Sequence, residues 1–355
     1  MQTVLVAARD RLLVCRRDGL ETTGWTTASR LEGHELECVA AHPSAPDRIF
    51  VGTRDGLVRS ADGGHSFDRV ETRFTAEEAG GSAVVSTDHG RSDGEGDPVM
   101  AVTVSPHDPA VVYAGTEPSR LYRSRDGGDS WTPLEGLAAL PSADEWSFPP
   151  RPHTHHVRTL AVDPFDPDRL AVGIEAGALV VTPDGGETWR ERPSGSRRDN
   201  HTLTAHPDRE GRLYAAAGDG YAESDDFGDS WHHPQDGLEH RYCWSVVADP
   251  GDPDRVMVSS ARGPSTAHTA SRANSFVYRR VGDEQWERLE GRGLPTGEGV
   301  VRTVLATVAE PGVVVAVNNR GLCLTRDFGD SWARVAIDWP EDLETQTPRG
   351  LVALA

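Results

Sequence analysis

One eight-residue pattern recurs five times, and it constrains everything else about the chain. It reads Ser60-Ala-Asp62-Gly-Gly64-His-Ser66-Phe67, Ser124-Arg-Asp126-Gly-Gly128-Asp-Ser130-Trp131 and Thr182-Pro-Asp184-Gly-Gly186-Glu-Thr188-Trp189. It returns as Ser224-Asp-Asp226-Phe-Gly228-Asp-Ser230-Trp231 and Thr325-Arg-Asp327-Phe-Gly329-Asp-Ser331-Trp332. Two weaker copies keep mainly the aromatic, at Trp25 and Trp286. An aspartate that accepts backbone N–H groups two residues on starts a turn, and glycine supplies positive φ. The ring that follows can be buried. Each copy therefore reads as a hairpin stapled by an acid and an aromatic.

The aromatics fall at 25, 67, 131, 189, 231, 286 and 332, so seven units of roughly 50 residues fill the chain. Each has the same preamble. In the fourth, Val157–Val162, Leu170–Gly173 and Ala178–Val181 precede the turn, and a last strand starts at Trp189. Four short antiparallel strands per unit make a propeller blade. The chain starts with a second strand that has no first, and Gly350–Ala355 is a first strand that has no second. The reading is all-β: one seven-bladed β-propeller domain over 1–355, whose C-terminal strand completes the N-terminal blade.

The pattern resembles the Asp-box, or BNR repeat, of the propeller superfamily of sialidases, sortilin-type receptors and photosystem assembly factors. The resemblance covers essentially the whole chain. It implies that Asp62, Asp126, Asp184, Asp226 and Asp327 are fold markers on outer turns and not reacting groups.

Strand order sends the connectors between blades to one face, and the three long insertions fall there: 74–98, 136–155 and 261–273. Long loops on a rigid face are where binding sites are built. First-strand starts and second-strand ends meet at the same face around the channel. They offer Arg158, His201, Arg241, Tyr242, Arg302 and Arg349 as groups for an anionic or sugar-like ligand. Glu117, Glu175, Asp219 and Tyr242 are the candidates for catalysis. His153, His155 and His156 tempt a metal reading, since alternate strand residues share a face and zinc favours imidazole. No tight ligand signature accompanies them, and no cofactor is expected.

The balance of 56 acidic against 36 basic residues gives −20. Every base is arginine, which suggests a high-salt source, and such a surface repels nucleic acid and anionic lipid. No stretch is apolar enough to span a membrane. The N-terminus lacks a basic n-region and reads as a strand, so a cytoplasmic monomer is the expectation. Cys15, Cys38, Cys243 and Cys323 are scattered in apolar runs and read as core residues.

Resemblance to sialidases would imply an arginine triad, a Tyr–Glu pair and an acidic proton donor. Arg158, Arg241, Arg302, Arg349 and Tyr242 answer part of that, but the early Phe/Tyr-Arg-Ile-Pro motif is absent and there is one blade too many. No nucleophile elbow, P-loop or dinucleotide fingerprint appears. The first expectation is therefore a non-catalytic platform that binds a protein or a small anionic or saccharide ligand on the loop-rich face. The second is a glycoside hydrolase or lyase, sialidase-like, working in the central funnel of that face.

Overall fold

Short alternating apolar runs between turn signals become strands, and here they are gathered into seven sheets in a ring. The computed structural model describes residues 2–17, 23–72, 74 and 96–354. Strands a to d run from the channel outward in six blades, and strands a to c in blade 5. Blade 1 takes strand a from the far end of the chain: Gly350–Leu354 pairs antiparallel with Gln2–Ala7, from Ala7 opposite Gly350 to Thr3 opposite Leu354. Leu12–Arg17 and Thr26–Arg30 follow as c and d. The C-terminal clasp expected from the sequence is thus the ring's closure.

Blades 2, 3 and 4 open with Leu36–His42, Val99–Val104 and Val157–Val162. Blades 5, 6 and 7 open with Asn200–Ala205, Tyr242–Asp249 and Val304–Thr307. Blade 5 differs outwardly, since its sheet holds three strands and only the bridge from Glu223 to His232 stands in for the fourth. Seven apolar clusters lie between consecutive blades. The one between blades 4 and 5 joins Leu179 and Val181 to Leu213, Ala215, Phe227 and Trp231. The one between blades 7 and 1 joins Val315 and Leu324 to Val6 and Leu13. The cysteines are free, and three of the four are buried. Among the described residues no helix is long and apolar enough to cross a membrane.

The repeated turns share one bonding scheme. Asp327 Oδ1 accepts the Ser331 N–H at 2.9 Å, and Oδ2 accepts the Ser331 hydroxyl at 2.6 Å. The Thr325 hydroxyl donates to Oδ1 at 2.7 Å. Asp62, Asp126, Asp184 and Asp226 repeat this with Ser66, Ser130, Thr188 and Ser230. Two turns place phenylalanine where the others have glycine, at φ of 53° for Phe227 and 51° for Phe328. That backbone is costly for an L-residue. Both rings are fully buried, with Arg169 over one and Arg255 over the other, and this burial offsets the cost.

The pinned carboxylates also link stability to pH. Burial raises the Asp327 pKa, but the hydrogen bonds from Ser331 and Thr325 outweigh it and leave it at about 2. A depressed folded pKa stabilises above the unfolded value near 4 and ceases to as pH falls through the folded value. Asp327→Asn should therefore melt below the wild type at neutral pH. The gap should close between pH 4 and 2 in melting curves at fixed ionic strength, and a gap that stays constant would show that the carboxylate charge is not what holds the turn.

Candidate functional site

The channel mouth is built by an irregularity common to five blades. Strand a of blades 2 to 6 breaks register with strand b near its start, between Leu36 and Cys38, Val99 and Ala101, Val157 and Thr159, Asn200 and Thr202, and Cys243 and Val246. A bulge leaves a residue unpaired and re-aims its side chain. The bulged positions hold Glu37, Met100, Arg158, His201 and Trp244. Four of them line a cavity of about 710 Å³ at the mouth; His201 sits just behind its wall.

Loops complete this cavity. Phe148, Pro149, Pro150 and Arg151 come from the blade 3–4 connector, and Pro264, Ser265, His268 and Thr269 from the loop inside blade 6. Two of the three insertions singled out in the sequence thus reach the site. Of the third, 75–95 lies outside the described residues. Thr345, Gln346 and Thr347 add a wall before the clasp.

Arginine charge is concentrated here, against the acidic balance of the chain. Arg9, Arg54, Arg151, Arg158 and Arg349 line the cavity, with Glu37, Glu175 and Asp199 as its acids. Glu117 is buried and tied up: Arg151 grips it through Nε at 3.1 Å and Nη2 at 2.6 Å, and Arg54 reaches it at 3.0 Å. Arg54 also meets Glu37 at 3.0 Å. These pairs brace blades 2 and 3.

Behind the wall Arg302 is 1% exposed. Its guanidinium lies 3.5 Å from the centre of the Trp244 ring, and its Nε donates to His268 Nδ1 at 3.0 Å. Arginine only donates, so His268 carries its proton on Nε2, which faces the Tyr242 hydroxyl at 2.9 Å. Burial, then the charge of Arg302, push the His268 pKa down to about 2, so the imidazole is neutral. Both Nη atoms of Arg302 are buried with no hydrogen-bond partner among the described residues. Burial, then Arg158 and Arg349, lower its own pKa. Arg158 stacks on Trp244 at 4.7 Å and stands 3.6 Å from Glu175.

Glu175, Asp199 and His201 meet at the inner end. Burial raises the Glu175 carboxyl, but the hydrogen bond from His156 Nε2 at 2.8 Å and the charges around it take its pKa well below the ordinary range. The Asp199 carboxyl moves the other way, raised by burial despite His201. Two carboxyls whose oxygens face one another with a histidine can share a proton or a cation.

The sequence candidates sort plainly against this geometry. Arg158, His201, Tyr242, Arg302, Arg349 and Glu175 are gathered at the mouth. Arg241 is not: it is exposed and lines a separate surface depression with Gln235 and Glu239. It lies one residue before strand a, and Tyr242 and Trp244 take the channel-facing parity. Asp219 is also exposed and accepts the Arg198 N–H at 3.3 Å. The histidine run does not converge on one point. His153 is exposed, His155 accepts the Ser119 N–H at 3.4 Å and packs edge-on to Trp146, and only His156 turns to Glu175. Burial holds the His155 pKa at about 4. Asp199 was missed. It sits in a blade connector, and its one signal was the polar run Arg197-Arg198-Asp199-Asn200-His201 ahead of a strand.

No protein-family model matches the chain. A xyloglucanase of Paenibacillus sp is 31% identical over 140 residues, 34% of this chain and 13% of the relative. A probable oligoxyloglucan-reducing end-specific xyloglucanase of Neosartorya fischeri is 25% identical over 276 residues, 77% of this chain and 29% of the relative. The chain thus spans less than a third of the length of these relatives. Among solved structures, an ancestral GH74 enzyme superposes with a TM-score of 0.61 at 15% identity, over 84% of this chain and 38% of that one. YCF48 bound to D1 peptide gives 0.55 at 14%, over 90% and 92%. The solved structures share the fold. The sequence relatives are glycoside hydrolases by name, and this runs against the expectation of a non-catalytic platform and toward the second reading, a glycoside hydrolase or lyase.

A buried guanidinium without a counter-charge destabilises the fold that holds it. Arg302→Met should therefore melt no lower than the wild type while weakening whatever the cavity binds. A clear fall in melting temperature would show that the fold itself satisfies the charge.

Proposed function

We propose that the protein is a glycoside hydrolase that cleaves a β-glucan of the xyloglucan type in the funnel. The observation that carries this is the carboxyl pair Glu175 and Asp199. Both line the cavity, and each keeps one oxygen out of any hydrogen bond with the described residues. Glycosidic cleavage uses paired carboxyls, and the other buried acids at the mouth are committed to arginine. The two carboxyls act together on the attacking water at their converging oxygens.

The walls suit a sugar. Phe148, Tyr242 and Trp244 give the cavity aromatic edges, and the lining residues Arg158 and Arg349 each keep an Nε donor with no hydrogen-bond partner among the described residues. Names carried by the sequence relatives supply the substrate class and nothing in the cavity opposes it.

Incubation with tamarind-type xyloglucan, mixed-linkage β-glucan and sialyl-lactose, followed by chromatography of the products, tests the reading. Oligosaccharides should be released from xyloglucan, with the rate falling at least about 100-fold in Glu175→Gln and in Asp199→Asn while both variants stay folded. Activity that survives both substitutions, or turnover confined to the sialoside, would overturn it.

A further inference from the structure

Three side chains converge at the inner end of the funnel. His201 Nε2 lies 3.7 Å from Asp199 Oδ2 and 3.8 Å from Glu175 Oε1. The ligand atoms of these three residues all lie within 4.8 Å of one another. These separations are too long for hydrogen bonds. They suit groups that share one cation at about 2.0–2.6 Å from each.

The other polar atom of each residue is pinned. His201 Nδ1 meets the Cys243 carbonyl at 2.6 Å, and a carbonyl only accepts, so Nδ1 carries the proton. In a neutral imidazole that leaves Nε2 as a bare lone pair. This atom is buried and has no hydrogen-bond partner among the described residues, and the His201 side chain is fully buried. Glu175 Oε2 is held by His156, with Arg158 at 3.6 Å on the same oxygen. Asp199 Oδ1 accepts the Ala176 N–H at 2.9 Å. A lone pair facing two carboxylate oxygens is repulsive unless positive charge lies among them. Outer partners that fix the far atom of each ligand and leave the near atoms converging are how metal ligands are oriented.

We propose that Glu175, Asp199 and His201 bind a divalent cation. One imidazole and two carboxylates favour manganese or zinc over magnesium. Two of the three ligands line the cavity, so the open coordination positions face it and take water or saccharide hydroxyls. The ion offsets the two carboxylate charges on the side away from Arg158. The site stands whether or not the cavity cleaves a glucan.

The alternative is a proton, with His201 as an imidazolium, and binding measurements separate the two. The full chain, stripped with EDTA and dialysed, is titrated with manganese chloride by calorimetry and by electron paramagnetic resonance. One ion per chain should bind, and the melting temperature should rise with manganese or zinc. Asp199→Asn keeps the shape of a half-buried side chain and should weaken binding at least tenfold, as should His201→Gln. Glu117→Gln, at a carboxylate held by two arginines, should leave it unchanged. Failure of both ions to bind the folded wild type, or equal binding by Asp199→Asn, would overturn the proposal. Neither outcome depends on catalysis.

Discussion

The close approach of neighbouring inner strands is the constraint on which the rest of this ring depends. Strand a of one blade packs against strand b of the blade before it, and glycine makes room. A Cβ on Gly115 would fall 2.4 Å from Val157 Cγ1, and one on Gly173 would fall 2.8 Å from Asn200 Cβ, each in the next blade. Such distances force a shift, so alanine would push the blades apart. Crowding at the axis also explains the bulges. A flat strand start would send alternate side chains back into the interblade cores. The unpaired residue turns Glu37, Arg158, His201 and Trp244 toward the channel instead.

Outer turns and inner mouth use charge in opposite ways. Each repeated aspartate on the rim is saturated by donors from its own turn, which makes it a self-contained brace. At the mouth Glu117, Glu37, Arg54 and Arg151 brace one another across blades, while Arg302 and His201 are left with buried polar atoms that nothing satisfies. Buried polar groups are ordinarily paired, because the loss of water is not otherwise made good. Their being unpaired beside the Trp244 ring marks the region where stability is given up for binding.

The fold was legible because its signal is local and repeated. Asp327 with Ser331, or Asp62 with Ser66, can be read four residues apart in the chain, and the orphan strands at the two ends announced the clasp. The site was legible only in part. Strand starts pointed to Arg158, His201, Tyr242, Arg302 and Arg349, since topology alone brings them to one face. Parity misplaced Arg241, because the bulge that fixes which residues face the channel leaves no mark in the sequence. Asp199 escaped for a related reason: it belongs to a connector, and only the fold carries it next to Glu175. Glu117 looked like Glu175 in sequence, at the end of a second strand. The arginines that commit it come from positions 54 and 151, so only the assembled fold shows that it is a brace.

Trp244 is the hinge of the charge arrangement. Arg302 lies on the ring at 3.5 Å, and Arg158 reaches it at 4.7 Å. His201 packs on it too, at 4.3 Å between centroids. A ring face attracts cations without neutralising them. It therefore holds both guanidinium groups without cancelling their charge. The carboxylates that meet this charge are shared with other partners. Glu37 is drawn off by Arg54, and Glu175 gives one oxygen to His156. The mouth keeps donors and lone pairs in separate sectors, unused N–H groups around Trp244 and converging acceptors at Glu175, Asp199 and His201. A saccharide hydroxyl is both donor and acceptor, and it can bridge two such sectors where a simple anion would satisfy only one.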